Sequence, residues 1–190
     1  MPFNQVYFKH KSEDKMLERF ASAINVNMLN YPNMEVSLIV LNGGRNGDAL
    51  FTRELYKKLL FKEGVKIYNY SPIPGDIIAH IAGCSYFVGM RYHAGLYAYM
   101  TQTPQIIIEY MPKCHGFAQD IGAKSMTIES LLAGDLRWAI DDMIKSPDKY
   151  LPARPLSDYK SRAWGIYQNY KGELYAQNKT KKRTCTRGGY

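Results

Sequence analysis

Arg91 and His93 stand two residues apart in the stretch FVGMRYHAGLYAYM, where an apolar run gives way to a helical pattern. Tyr110, Lys113 and His115 follow the next apolar run, QIIIEY. A guanidinium is a fork-shaped donor for carboxylate or phosphate, an ammonium is a point charge, and an imidazole moves a proton near neutral pH. By composition this set makes an anion site with a proton donor beside it. Each residue also has a plainer reading. Arg91 can pair with a carboxylate such as Asp120 or Glu109, and a lone histidine is more often structural than catalytic. His115 is a second candidate acid beside Lys113, with a surface-loop position as its plainer reading. Glu109 is a candidate base, although an ion pair at the strand end is the safer assignment. Asp120 suits a cap or a histidine partner, the structural role being favoured.

These residues need a scaffold that gathers strand ends. QVYFKH reads as a strand, and SEDKMLERFASAINVNML as a helix with Ser12 as its N-cap. EVSLIVLN and VKIYNY read as strands around the helix GDALFTRELYKKLLF. The helix PGDIIAHIAGC, the strand YFVGM, the helix YHAGLYAYMTQ and the strand PQIIIEY follow. A short helix GFAQDIG ends at Gly122, SMTI is an edge strand, and AGDLRWAIDDMIKS is a helix. Strands without clean alternation are buried on both faces, and helices between them imply a parallel sheet. The expectation is an α/β, Rossmann-like lobe over residues 1–150, with about five or six parallel strands and helices on both faces. In such sheets ligands bind beyond the carboxyl ends of the strands, where helix N-termini face the ligand. That is where Arg91, His93, Tyr110 and Lys113 fall.

PARPL breaks the pattern, and a helix over 151–178 carries Tyr159, Trp164, Tyr167, Tyr170 and Tyr175 at helical spacing, read as packing on the lobe. Residues 179–190 are a basic tail, and the net charge of the whole chain is +8. A solvated end is the plain reading of the tail; peripheral contact with an anionic membrane, or with another chain, is the second. No zinc-finger spacing or RNA-binding strand motif points to specific nucleic acid recognition. The N-terminus lacks the apolar core of a signal peptide, and no run approaches the ~20 residues of a membrane span, so a cytoplasmic protein, working at most at the inner face of the membrane, is expected. Cys84, Cys114 and Cys185 are odd in number and widely spaced, indicating neither a disulfide framework nor a zinc site. No dinucleotide fingerprint or phosphate loop is present, and NGGRNGD reads only as a tight strand-to-helix turn. No cofactor and no metal are expected.

The stretch from Tyr86 to Gly122 also resembles the signature region of the polysaccharide pyruvyl transferase family. The matching positions are Arg91, His93, Ala94, Pro104, Tyr110, Lys113, Gly116, Phe117, Asp120 and Gly122, with a departure at the turn Thr101-Gln102-Thr103-Pro104. Weaker similarity runs back through GDALFTREL, where Asp48 fits a recurring aspartate at a helix start, so that the resemblance covers about residues 1–145. It implies the C-terminal, donor-binding lobe of a GT-B-like architecture, with the acceptor-side N-terminal lobe supplied in cis or in trans. It implies transfer of pyruvate from phosphoenolpyruvate to a sugar or lipid-linked oligosaccharide, giving a ketal in a cell-surface polysaccharide. On this reading Arg91 and His93 are catalytic, Arg91, Lys113, Tyr110 and His115 bind donor, and His93 is the general acid. A GT-B glycosyltransferase lobe binding a nucleotide sugar and a non-catalytic binding module are the alternatives.

Overall fold

The computed structural model describes residues 10–44, 47–165 and 168. The chain divides into two compact units, Met1–Ala153 and Arg154–Tyr190. In the first, α1 (His10–Asn30) leads to β1 (Val36–Ile39), α2 (Asp48–Lys58), β2 (Val65–Tyr68) and α3 (Pro74–Ala82). Then come β3 (Phe87–Gly89), α4 (Tyr92–Met100), β4 (Gln105–Glu109), α5 (Pro112–Ile121) and β5 (Lys124–Thr127). The unit closes with α6 (Ile128–Ala133), α7 (Leu136–Lys145) and a 3-10 turn, Pro147–Tyr150.

All strand pairs are parallel, as the alternation of strands and helices predicts. The five described strands do not form one continuous sheet, however. β1 pairs with β2, and β3, β4 and β5 form a separate three-stranded sheet in that order. The predicted first strand, QVYFKH, lies outside the described residues except for His10, which already begins α1. Ser12 is therefore inside the helix rather than its N-cap.

Apolar faces explain the layers. Ile106 and Ile108 of β4 join Met16 and Ala23 of α1 and Leu136, Ile140 and Met143 of α7 in one buried cluster. Leu38 of β1 and Val65 of β2 pack with Leu17, Ile24 and Met28 of α1 and Leu55 of α2. On the opposite face, Ile77 and Ile81 of α3, Phe87 of β3 and Ala94 and Ala98 of α4 pack with Ile39 and Leu41. A run such as QIIIE is buried on both faces, which is why it lacks period-two alternation.

Two helix boundaries differ from the sequence expectation. α5 starts at Pro112, four residues before GFAQDIG, because proline is tolerated at the first helical position, where its missing N–H costs nothing. It ends at Gly122, as expected, with φ 64° and with Ala123 N–H donating to Ala118 O at 2.9 Å. Residues 128–145 form two helices, since Gly134 at φ 102° ends α6 in the left-handed region before α7 begins. In the second unit, residues 156–165 are helical, and Arg154 pairs with Asp158 at 3.6 Å. Of the aromatic stripe, Tyr159 and Trp164 lie on this helix; Tyr167, Tyr170 and Tyr175, like the basic tail, lie outside the described residues.

Candidate functional site

The parallel strands of the first unit put the N-termini of α2, α4 and α5 at the carboxyl ends of β1, β3 and β4. Gly47, Arg91 and Met111 are the respective N-caps, and none provides a side-chain cap. The first-turn N–H groups therefore face this edge without a side-chain acceptor from the cap position, and the helix dipoles favour negative charge there.

Arg91 is half-buried at the start of α4. Its Nε donates to Asp48 Oδ1 at 3.0 Å and to Oδ2 at 3.3 Å, and its Nη2 also donates to Oδ1. Asp48 is the first residue of α2, and its Oδ2 also accepts from Leu41 N–H at 3.3 Å. The Asp48 carboxylate thus ties the turn after β1 to the turn after β3. The predicted partners Asp120 and Glu109 are not in this fork-shaped contact. Arg91 also hydrogen-bonds the Tyr110 side chain. Burial alone would lower the Arg91 pKa, but the hydrogen bond and charge of Asp48, assisted by Tyr110, carry it above its ordinary value. Burial raises Tyr110 above the ordinary phenol range against the opposing pull of Arg91, so its hydroxyl stays protonated.

Tyr92 links the other candidates. Its ring centroid lies 5.4 Å from that of His93, edge to face, and Lys113 Nζ lies 6.0 Å from the Tyr92 centroid. Phe117 also packs against the tyrosine, with centroids 5.1 Å apart. His93 and Lys113 are both exposed. Nothing in the sequence reading pointed to Tyr92; its place between Arg91 and His93, on a helix whose next turn meets α5, was the available signal.

His115 lies on α5 rather than in a loop, and its Nδ1 is 2.9 Å from Glu109 Oε2. Burial pushes the Glu109 carboxyl upward, but hydrogen bonds from Ser125 and His115 and the histidine charge hold it below the usual range. Glu109 is an ion-pair partner and a poor general base. Cys114 is buried, its Sγ contacting Met90 O at 3.4 Å, and burial raises its thiol pKa, which disfavours a thiolate nucleophile. Asp120 sits half-buried on the last turns of α5. Among the described residues, no cluster of three His, Cys, Asp or Glu side chains suits a metal ion, and no helix is long and apolar enough to cross a membrane.

No curated protein and no solved structure matches the chain. The family model for polysaccharide pyruvyl transferase matches residues 4–111, more than half of the chain. The match contains Asp48, Arg91, Tyr92, His93 and Tyr110 and stops just short of Lys113 and His115. With the Asp48–Arg91 clasp and its neighbours inside that match, the chain belongs to the polysaccharide pyruvyl transferase family.

Proposed function

We propose that this chain is the donor-binding, Rossmann-like lobe of a GT-B-like pyruvyl transferase that moves pyruvate from phosphoenolpyruvate onto a sugar. One observation supports it above the rest. The Asp48-held Arg91, the Tyr110 hydroxyl and the N-termini of α4 and α5 meet at one strand edge, with His93 and Lys113 flanking Tyr92 beside them. Phosphoenolpyruvate carries a phosphate and a carboxylate on the same carbon, and such an edge offers donors for both.

Ketal formation then follows from balanced steps. The methylene carbon gains a proton, and the central carbon takes on oxocarbenium character. A sugar hydroxyl oxygen bonds to that carbon and loses its proton. The carbon–oxygen bond to phosphate breaks, inorganic phosphate leaves, and a second sugar hydroxyl closes the ring, losing its proton in turn. Arg91 binds one anionic end of the donor, most simply the phosphate, with Asp48 setting the plane of the guanidinium. Lys113 holds the other end. His93 is the acid that protonates carbon or assists phosphate departure. Tyr110 orients Arg91, and His115, paired with Glu109, lies at the outer margin of the donor site. The acceptor, a sugar or lipid-linked oligosaccharide, is held by a second lobe, so that the reacting oxygen comes within about 3–3.5 Å of the donor carbon.

Calorimetric titration of the chain with phosphoenolpyruvate tests this reading. A dissociation constant in the high-micromolar to millimolar range, roughly −4 to −6 kcal/mol, is expected. Arg91→Ala should abolish it, and Arg91→Lys should restore little, since charge returns without the fork. A nucleoside diphosphate that binds where phosphoenolpyruvate does not would replace this reading with that of a nucleotide-sugar glycosyltransferase lobe.

A further inference from the structure

Connections between a helix and a strand are usually built from polar and turn-forming residues. The connection from α2 to β2 instead reads LLFKEG and follows two lysines. Its first leucine, Leu59, is buried with Leu55 and Val65. The next two residues are turned outward. Leu60 is 76% exposed and Phe61 39%, and among the described residues they are the only adjacent pair of large exposed apolar side chains. Their exposure is held in place by the backbone. Asn25 Oδ1 accepts from Leu60 N–H at 2.8 Å, and Asn25 Nδ2 donates to Lys58 O at 3.4 Å, so α1 grips the connection on both sides of Leu59. One turn beyond Asn25 on α1, Leu29 is also 66% exposed.

Lysines surround this pair in sequence. Lys57 and Lys58 end α2, Lys62 follows Phe61, and Lys66 is the second residue of β2; all four are exposed, as is Arg53 one turn before Lys57. Lys62 Nζ donates to Tyr56 O and to Lys57 O, placing its charge at the carboxyl end of α2. The acidic neighbours are fewer. Glu54 pairs with Lys57 at 2.7 Å, Glu35 pairs with Lys66 at 3.5 Å, and Glu63 is exposed. Such surface pairs are weak, so the net field stays positive. We infer that the α2–β2 connection is a membrane-docking loop, and that its partner is a bilayer containing anionic phospholipid. Leu60 and Phe61 enter the boundary between headgroups and acyl chains, and the lysines extend to the headgroup phosphates. Charge selects this occupant over two others. A second copy would oppose lysine to lysine, and Leu29, Leu60 and Phe61 fall far short of the ~800 Å² per partner that a stable protein interface buries. A second lobe, on the reading above, faces Arg91. Leu29 precedes β1 and the loop precedes β2, so both lie at the amino ends of those strands, whereas Asp48 and Arg91 lie at carboxyl ends. Docking through this loop therefore leaves the candidate edge open, and it requires neither the donor nor the reaction.

Co-sedimentation of the full chain with vesicles tests it. The chain should bind vesicles of phosphatidylcholine mixed with phosphatidylserine at least ~10-fold more tightly than vesicles of phosphatidylcholine alone, and added salt should weaken the binding. Leu60→Ser combined with Phe61→Ser in the full chain should weaken binding to the mixed vesicles at least ~10-fold, with an unchanged circular dichroism spectrum. A second readout is Phe61→Trp, compared with the parent, which already holds Trp138 and Trp164. Its added fluorescence should shift to shorter wavelength with mixed vesicles, because the indole leaves water. Absence of binding by the parent, or equal binding to both vesicles, would overturn the proposal. So would full affinity in the folded double serine variant, which would assign lipid binding to the basic tail. Self-association of the parent that is lost in the double serine variant, without lipid binding, would assign the patch to a second copy. If the double serine variant does not fold, Phe61→Trp decides alone, and an unshifted emission from vesicle-bound protein overturns the docking loop.

Discussion

Asp48 and Arg91 lie 43 residues apart in sequence and clasp one another across the carboxyl edge of the two parallel sheets. Both are mostly shielded, with side-chain exposures of 20% and 26%. The pair therefore sits between the surface regime, where an ion pair is worth little, and the buried regime, where loss of one partner strands a charge. Asp48→Asn and Arg91→Ala should each lower unfolding stability by about 1–3 kcal/mol. The double variant should show a coupling of about 1–2 kcal/mol in urea denaturation. Coupling near zero would reduce the clasp to a surface contact and remove Asp48 as the residue that positions Arg91.

His93 is exposed, and its ring contacts are with Tyr92 and Tyr97. It is free of the core packing that would make its replacement a folding defect. If the two-lobe enzyme proposed above is correct, His93→Gln should keep donor affinity within a few fold and lower its turnover by ~10²–10⁴-fold. Affinity and rate falling together would make His93 a binding residue instead of an acid.

Some of this arrangement could be read from the sequence and some could not. Local signals located β1 to β5 and most helices, because apolar runs and turn residues act over a few positions. Gly122 ended a helix as read, since only a left-handed residue closes that turn. The pairing of Arg91 with Asp48 is not legible in the sequence, for a physical reason. Glu109 and Asp120 are near in sequence, but the crossovers bring the start of α2 beside the start of α4, and no local pattern encodes that approach. Which of the described strands become neighbours, β1 with β2 and β3 with β4, is likewise something hydrophobic period does not report. Tyr92 is not legible in the sequence because a tyrosine on a helix face reads as ordinary packing until Lys113 and His93 are seen near its ring.

Tyr150 gives a pH signature remote from the site. Its hydroxyl donates to Asp142 Oδ2 at 2.9 Å, and burial together with the carboxylate raises its pKa to about 12. In the unfolded chain a tyrosine ionises near 10. A folded pKa above the unfolded one means stability that is fully present below pH ~10 and is lost as pH rises through the folded value of about 12. The loss across that window is at most about 3 kcal/mol. Tyr150→Phe should be less stable than the parent at neutral pH, with the gap narrowing from about pH 10 upward. A gap that stays constant to pH ~12 would mean that Tyr150 ionises as readily folded as unfolded.

The last prediction concerns the chain by itself. The first unit has buried clusters on both faces of its strands, including Ile106, Ile108, Leu131 and Ile81, so cooperative heat unfolding is expected. On the proposed reading, pyruvyl transfer needs more than a folded donor lobe. His93 and Lys113 are exposed at the candidate edge, and on the proposed reading water would reach a donor there as easily as a sugar would. If the acceptor is held by a second lobe, as proposed, this chain by itself would lack the entropic advantage of a bound acceptor. The purified chain should bind phosphoenolpyruvate weakly and form no pyruvate ketal on any pyranoside. Adding the acceptor-side lobe of a family member should restore product and lower the apparent donor KM, since closure excludes solvent from the charged edge. Ketal formation by the chain alone, at a rate that rises more steeply than first order in protein, would show that a second copy supplies the missing wall. First-order formation would show that this unit holds the acceptor too, and would end the reading of the edge as half of a site.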